Sequence, residues 1–309
     1  MNGGTQGALG VAAAQLILGT LGVCVVESGA DNLSVAFYRC LFAAAALGLY
    51  VALQRGLSAA RRPPLNQLGP AIASGLLMVG NWLLFFEAIR GAGVALATIA
   101  FHVQPFFALL LGAAIFRERL RAATLAWITL ALAGLALSAG LGEGATALDR
   151  AQGYGVACAL GGALLYSLVL IMARSLTRVS APQLTLIQCL CGVFLLAFVA
   201  PLTPADLTAG QWGWLALIGL LHTGGVYVLL YAALPKLPTA LAAVLLFLYP
   251  ASAIAVDSLI YGRAIGLVQF LGFGLILLAS LGVTLNWGLI RPQRSGRSGA
   301  GSTPDRTPC

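Results

Sequence analysis

Charged side chains are scarce in this sequence. Only 8% of the 309 residues are charged, whereas 60% are hydrophobic, and the mean hydropathy is +0.95. Soluble domains carry about 25% charged residues, so this chain does not have enough polar surface to face water on all sides. The composition excludes a soluble globular protein and predicts an integral membrane protein that is surrounded mainly by the lipid bilayer.

Lysine and histidine are also rare, and their scarcity limits the chemistry. The only lysine, Lys236, is followed by Leu237, so the chain lacks the Gly-x-x-x-x-Gly-Lys-Ser/Thr pattern of a phosphate-binding loop. Neither of the two histidines belongs to a cluster with metal-ligand spacing. We therefore expect no nucleotide, no metal site and no other cofactor, and we expect that the chain is not an enzyme.

The cysteines show no disulfide framework. Five of the six lie within apolar runs and Cys309 ends the chain, which fits small core residues better than a redox or metal role. No Lys or Arg precedes the first apolar run, and that run belongs to an internal repeat. We therefore interpret it as a retained helix and not as a signal peptide.

Long apolar runs, by contrast, occur throughout the chain. A helix needs about 20 apolar residues to cross a bilayer core. The ten runs of that length lie at roughly 8–26, 33–53, 68–89, 93–115, 122–141, 153–173, 182–200, 212–234, 238–261 and 266–289. The predicted fold class is an all-α integral membrane protein with ten transmembrane helices. Residues 291–309, rich in Ser, Gly, Pro and Arg, are predicted to form a disordered cytoplasmic tail.

Basic residues are distributed unequally between the loops. If the N-terminus is cytoplasmic, thirteen Lys and Arg residues fall on the inner side and three on the outer side. This bias follows the positive-inside rule and predicts a multi-pass protein of the bacterial inner membrane with both termini in the cytoplasm. It also accounts for the net charge of +8, so we expect no nucleic-acid partner.

The two halves of the chain share a spacing. Pro105 and Pro250, each in the middle of an apolar run, are 145 residues apart (250 − 105). We therefore predict two repeats, residues 1–145 and 146–290. Because each repeat contains five helices, an odd number, the two must have opposite orientations in the membrane. Inverted repeats with interrupted helices are typical of secondary transporters, whose substrate site lies near the membrane midplane.

Two motifs resemble the EamA-type drug/metabolite transporter superfamily. One is an arginine early in the second run (Phe37-Tyr38-Arg39). The other is a fourth run that reads from Ala95 to Pro105 and ends Phe116-Arg117-Glu118-Arg119-Leu120. The resemblance extends over about residues 8–289 and implies an exporter of amino acids, aromatic ones included, of other metabolites or of drugs. The second half departs from the family pattern, because its corresponding run ends Tyr261-Gly262-Arg263 without the family's glutamate.

The two prolines mark candidate gating or hinge positions. A proline inside a helix removes a hydrogen bond and frees a carbonyl, which lipid tolerates only beside protein or a water-filled cavity. Gln104 and Tyr249 directly precede Pro105 and Pro250, so they are predicted to bind substrate at the kinks.

His102 is the polar residue nearest to a hinge. An ionisable group within a membrane is costly and usually functional, so we expect His102 to line a cavity, where it binds a substrate carboxylate or carries a proton. The alternative is a core histidine bonded to a carbonyl of another helix. His222, in the eighth run, has the same two interpretations.

Trp82 lies well inside the third run. In the second repeat its counterpart is Tyr227, which follows it by the same 145 residues (227 − 82). Helical spacing places Phe85 on the face of Trp82, with Asn81 beside it. Such a stripe is packing as often as a site. If these residues bind substrate, facing aromatic surfaces favour a flat, apolar or aromatic solute. Tyr166 in the sixth run is a further substrate-binding candidate, with a bond between helices as the alternative.

Arg39 and Glu87 are the candidate gate. Arg39 lies about two turns inside the outer end of the second run, and Glu87 lies at the outer end of the third. The arginine stem could extend outward to the interface, or the guanidinium could pair with Glu87 as a gate or structural clamp.

These features predict a secondary transporter that exports small organic solutes by alternating access, with aromatic amino acids first among the substrates. The sequence does not determine its oligomeric state, for which a monomer is favoured. A drug or other metabolite exporter of the same superfamily is the alternative, and a membrane enzyme or receptor is a more distant one. Residues 15–20 lack the glutamate that couples small multidrug exporters to protons. Transport is therefore either uncoupled or coupled through another group, such as His102 or Glu87.

Overall fold

Ten apolar helical segments make up the described part of the chain. The computed structural model describes residues 3–57, 63–118, 121–138, 149–200, 207–262, 266–285 and 287. Seven helices are long and apolar enough to cross a membrane, and three are shorter. They are α1 (Gly3–Ser28), α2 (Asn32–Leu57), α3 (Leu65–Gly93), α4 (Leu96–Phe116), α5 (Ala122–Ser138), α6 (Arg150–Ser175), α7 (Ala181–Leu196), α8 (Ala209–Lys236), α9 (Thr239–Tyr261) and α10 (Leu267–Thr284).

The all-α membrane fold predicted from the sequence is confirmed, and each predicted run overlaps with one of these helices. The described residues contain no strand. The predicted tail, residues 291–309, lies outside the described residues. The repeat boundaries at 145 and 146 also fall outside them, so the division into two repeats stays a prediction.

Polar residues in the turns determine where several helices begin. Asp149 caps α6 by accepting a hydrogen bond from the backbone of Gln152 at 2.8 Å, and the Gln152 side chain bonds back at 3.1 Å. Asp31 similarly accepts the backbone N–H groups of Leu33 and Ser34 at the start of α2. Partial burial raises the pKa of the Asp31 carboxyl, but the hydrogen bonds from Ser34 and Leu33 outweigh that effect and lower the pKa below its usual value.

Helices α4 and α9 are both broken at the predicted prolines. The first part of α4 ends at Phe101 and the second begins at Gln104, with Pro105 in its first turn. In α9 the first part ends at Leu245 and the second begins at Leu248, with Pro250 in its first turn. Because proline has no N–H, the helical ladder cannot continue through either position. The breaks are therefore confirmed, and the movement expected of hinges stays a prediction.

Two further interruptions were not predicted. Helix α1 breaks at Gly19 and Thr20, between its segments Gly3–Leu18 and Leu21–Ser28. Helix α8 widens into a π-helix over Ile218–Gly225. A π-helix adds one residue to a turn and is often found at functional sites. Neither segment contains a proline, so the sequence alone gave no breaker signal there.

The packing of the helices follows a reciprocal pattern. Helix α1 packs against α8 and α9, and α6 packs against α3 and α4; α2 packs against α7, and α5 against α10. The first helix of each half thus contacts the third and fourth helices of the other half. Glycines permit the closest approach, since a Cβ on Gly91 of α3 would lie 3.0 Å from the Cα of Gly155 in α6.

Candidate functional site

An aromatic cluster connects the two broken helices. The rings of His102 in α4 and Tyr249 in α9 stack, with centroids 5.9 Å apart and an interplanar angle of 19°. Phe101 lies 4.9 Å from Phe85 in α3 and 6.1 Å from Tyr166 in α6, again between ring centroids. We call Phe85, Phe101, His102, Tyr166 and Tyr249 the aromatic cluster. It brings together four residues that the sequence nominated as substrate-binding and adds Phe101.

His102 is buried within this cluster and bonds to its own helix. Its Nδ1–H donates to the carbonyl of Thr98 at 2.7 Å, and its side chain also lies against Phe247. Donation from Nδ1 leaves Nε2 as an acceptor in the neutral ring. The carbonyl partner belongs to the same helix, so this bond does not join two helices as the alternative interpretation required, and the ring faces α9.

A second group forms around Arg39, which lies on the face of α2 that points into the protein. The Arg39 Nε–H donates to the Thr223 hydroxyl in α8 at 2.9 Å, and the guanidinium carbon lies 4.8 Å from the centroid of the Trp82 ring. The Tyr227 hydroxyl is within hydrogen-bonding reach of the same guanidinium. We call Arg39, Trp82, Thr223 and Tyr227 the Arg39 group. Trp82 and Tyr227, the pair related by the 145-residue offset, thus meet at one charge.

The two groups are neighbours. Tyr166 of the aromatic cluster lies within hydrogen-bonding reach of Tyr227 and within electrostatic range of Arg39. Tyr249 also packs against the hydrophobic core that contains Trp82, Tyr166 and Tyr227. One buried centre therefore contains side chains from six helices, α2, α3, α4, α6, α8 and α9.

Arg39 and Glu87, the pair considered from the sequence as a gate or clamp, do not contact each other in this structure. The Glu87 carboxylate instead pairs with Arg90 at 3.0 Å, and both side chains are largely exposed. Arg90 follows Glu87 by three residues on the same helix, so their side chains meet without any tertiary packing. Arg39 does not extend outward either, because its contacts with Trp82 and Thr223 direct it toward the interior.

His222 and Thr20 connect the two unpredicted interruptions. The Thr20 hydroxyl donates to the carbonyl of Ile17 at 2.8 Å, and it lies 2.8 Å from His222 Nε2. The buried Nδ1 of His222 has no hydrogen-bond partner of ordinary geometry, and the Leu217 carbonyl lies near the ring. The π-helix thus presents His222 to α1 and the adjacent Thr223 to Arg39.

Three other buried polar atoms also lack partners. They are Gln15 Nε2, Asn81 Oδ1 and Gln104 Nε2. Asn81 lies beside Gly162 of α6, and the backbone carbonyl of Gln104 accepts a hydrogen bond from Ser167 at 2.9 Å. Buried polar groups are nearly always paired with protein or water, so unpaired ones near an aromatic cluster are candidate ligand contacts. Asn81 and Gln104 were nominated from the sequence as substrate-binding residues.

An ionic network joins the ends of three helices on the predicted inner side. Arg174 at the end of α6 pairs with Glu118, which follows α4, at 2.7 Å and also donates to the Thr239 hydroxyl at the start of α9. The second Glu118 oxygen accepts the Thr239 backbone N–H at 3.2 Å, and the Arg174 guanidinium lies over Phe116. We call Phe116, Glu118, Arg174 and Thr239 the inner latch. Sequence reasoning missed it, since Glu118 has adjacent arginines that supply a simpler partner.

A small cavity lies directly beside the inner latch. Its volume is about 20 Å³, and Arg174, Thr239, Leu170 and Leu246 are among its lining residues. A space of this size holds about one water molecule. The inner latch therefore closes this end of the interface between α4, α6 and α9.

His102, His222 and Glu87, the three groups that a catalytic interpretation of the sequence would bring together, have separate partners. His102 contacts Tyr249, His222 contacts Thr20, and Glu87 contacts Arg90. The described residues contain no group of three or more His, Cys, Asp or Glu side chains that could hold a metal ion. A membrane enzyme would need such groups within reach of one another.

Fold and site together define a multi-pass membrane transporter, in which broken helices surround a buried polar and aromatic centre. In sequence, residues 5–140 and 153–285 match the EamA-like transporter family. The chain belongs to this family, which confirms the superfamily predicted from the motifs.

Individual relatives agree with this assignment. The chain is 30% identical over 271 residues to the uncharacterized transporter YxxF of Bacillus subtilis, covering 87% of this chain and 86% of the relative. It is 25% identical over 221 residues to the threonine/homoserine exporter RhtA of Escherichia coli K12, covering 70% and 71%. A solved crystal structure shares the fold with a TM-score of 0.79 at 22% identity, covering 91% of this chain and 97% of that one.

Proposed function

We propose that this protein exports amino acids, aromatic ones first, across the bacterial inner membrane by alternating access. The observation that carries the proposal is the stacking of His102 on Tyr249, because these residues lie at the breaks of α4 and α9. A substrate that separates the two rings would contact both halves of the chain at once. Stacked aromatic surfaces favour a planar side chain in that position.

The reciprocal packing supports an inverted repeat. In inverted-repeat transporters each half can adopt the conformation of the other, which opens the central site to alternate sides. The first helix of each half packs on the broken fourth helix of the other, so α1 contacts α9 and α6 contacts α4. A change of angle at one break therefore moves a helix of the opposite half. We propose cytoplasmic termini, following the distribution of basic residues, and we favour a monomer.

Export of threonine or homoserine is the second candidate. It is favoured by the similarity to RhtA and by the polar groups next to Arg39. The buried Nδ1 of His222 has no hydrogen-bond partner, and the hydroxyl of a small hydroxylated amino acid, which can both donate and accept, could pair with it. A large planar substrate would instead use the aromatic cluster.

Counterflow in proteoliposomes tests both candidates. Vesicles containing the purified protein are loaded with unlabelled amino acid and mixed with labelled phenylalanine, tryptophan, threonine or homoserine. Accumulation of the aromatic labels above protein-free vesicles supports the first candidate, and accumulation of threonine and homoserine alone supports the second. If none of the four labels accumulates, amino acid export is wrong.

A further inference from the structure

Arg39 carries a charge within the membrane-spanning part of the protein. It is seven residues from Asn32 at the start of α2, which places its Cα about 10 Å inside that end. Trp82, over which the guanidinium lies, is eleven residues from Gly93 at the end of α3, or about 16 Å from it. The Arg39 side chain thus reaches toward the middle of the protein, and it is only half buried there.

The charge of Arg39 is not neutralised by any carboxylate side chain that the structure describes. The ion pairs among those side chains are Arg90 with Glu87 and Arg174 with Glu118. The partners of Arg39 are neutral: the Thr223 hydroxyl, the Tyr227 hydroxyl and the face of Trp82. A charge withdrawn from water is costly unless an opposite charge accompanies it, so this position is suited to an anion.

The guanidinium also has donors to spare. Arginine has five N–H groups in a planar fork that matches a carboxylate in a bidentate arrangement. Only the Nε–H donates to Thr223, and the Thr223 hydroxyl gives its own proton to the carbonyl of Ile218 at 3.1 Å. Thr223 therefore fixes the orientation of the fork through Nε and leaves most of the terminal N–H groups for a ligand.

We propose that Arg39 binds the carboxylate of the transported solute, whose body then extends toward Trp82 and the aromatic cluster. This inference rests on the proposed export of amino acids and specifies which group of the substrate is recognised. It requires that the carboxylate, and not the ammonium group, is essential for binding. The Tyr227 hydroxyl lies within hydrogen-bonding reach of the guanidinium and can donate to a remaining carboxylate lone pair.

A ligand series on the purified protein tests the inference. Binding of phenylalanine, its carboxamide and phenylacetate is measured from the ligand-dependent rise in unfolding temperature. We expect phenylalanine and phenylacetate to bind and the carboxamide to bind at least about tenfold more weakly, because a hydrogen-bonded charge pair is lost. In R39Q this difference should vanish, with the acid weakened to the level of the amide.

Two further variants make the experiment decisive. R39K keeps the charge but not the fork, so it should retain part of the preference for the acid even if R39Q does not fold. R90Q makes the same substitution in the exposed pair with Glu87 and should keep the full preference. If R39Q and R39K both keep the full preference, the inference is overturned while amino acid export can still stand.

Phenylacetate separates the inference from the proposed function. It has a carboxylate and an aromatic ring but no ammonium group. If phenylacetate binds in an Arg39-dependent way and no amino acid is transported, the carboxylate site stands and amino acid export does not. If neither phenylalanine, threonine nor phenylacetate stabilises the wild type, the carboxylate site is wrong.

Discussion

Arg174 and Glu118 form an ion pair, 2.7 Å between Nη2 and Oε1, that joins the end of α6 to the end of α4. Thr239 at the start of α9 bonds to both partners, so one interaction holds three helices from two halves of the chain. Both charged side chains are about one-fifth to one-quarter exposed, so the pair is less screened than one on the surface. We interpret it as the contact that keeps the inner side closed.

The substitution E118Q should open this contact. It removes the negative charge while keeping the shape, so Arg174 and the Thr239 backbone N–H lose a charged acceptor, an effect of about 1.5–3 kcal/mol. We expect amide exchange in residues 239–246 to become at least about tenfold faster, as measured by hydrogen–deuterium exchange of the protein in lipid nanodiscs. The matched control is E87Q, in the exposed pair with Arg90. Equal exchange in E118Q and the wild type would show that the ion pair does not hold the inner side closed.

The break in α1 should not tolerate a larger residue at Gly19. A Cβ at this position would lie 2.7 Å from Ser252 Cβ and 2.9 Å from the Ser252 carbonyl carbon in α9. Overpacking of this kind costs about 1–3 kcal/mol, and it would separate α1 from the broken helix. We expect G19A to lower both the unfolding temperature and the transport rate.

Gly22, one residue after the start of the next segment, is the control for Gly19. A Cβ there has no neighbour within 4 Å, so G22A should be neutral or stabilise the helix by up to about 1 kcal/mol. Both variants are measured by thermal unfolding in detergent and by counterflow. A similar loss in G19A and G22A would show that the contact with Ser252 does not govern the effect.

His102 should matter for transport more than for folding. H102F places at this position the residue found at its counterpart, Phe247, and keeps a ring against Tyr249 while removing both nitrogens. We expect the unfolding temperature to change little and counterflow to fall at least about tenfold, since a polar contact in the centre is lost. T98V is the control, because it changes the Thr98 side chain and keeps the carbonyl to which His102 donates.

Normal counterflow by a well-folded H102F would assign His102 to packing. A second measurement, counterflow with and without a pH gradient, tests whether His102 also carries a proton. If the wild type depends on the gradient and H102F does not, the proton passes through this histidine. The same dependence in both proteins would exclude it as the carrier.

The sequence predicted the fold well because the signals for it are local. Twenty-residue apolar runs and prolines at Pro105 and Pro250 need no knowledge of neighbours to be interpreted. The meeting of Trp82 with Tyr227 around one charge was also within reach, since the 145-residue offset had already paired them. The offset does not predict that Arg39 lies between them, because Arg39 belongs to α2 and not to either of the paired helices.

Features that depend on a neighbouring helix were missed or misplaced. Gly19 has no special signal in an apolar run, and its meaning comes from Ser252 on another helix. The π-helix around His222 has no sequence marker either. Arg39 and Glu87 were considered as a pair because opposite charges at similar depth look compatible in sequence, while Arg90, three residues from Glu87, is nearer.

Packing between α5 and α10 offers a last contrast, since it should affect stability without affecting transport. A Cβ on Gly282 of α10 would lie 2.5 Å from the Trp127 ring of α5, and that ring is held by a hydrogen bond from Nε1 to the Trp287 carbonyl at 3.1 Å. The hydrogen bond opposes a movement of the ring, so we expect overpacking in G282A to reduce the free energy of unfolding by about 1–3 kcal/mol. This loss is measured as a lower unfolding temperature. G274A, on the same helix with nothing within 4 Å of the added Cβ, is the control.

Transport per folded molecule should be unchanged in G282A, because the residues around Gly282 belong to neither the aromatic cluster nor the Arg39 group. Counterflow is therefore normalised to the monodisperse fraction measured by size-exclusion chromatography. A normalised rate that falls as far as that of G19A would show that α5 and α10 take part in the transport movement. In that case the moving unit would extend beyond the helices that carry the central site.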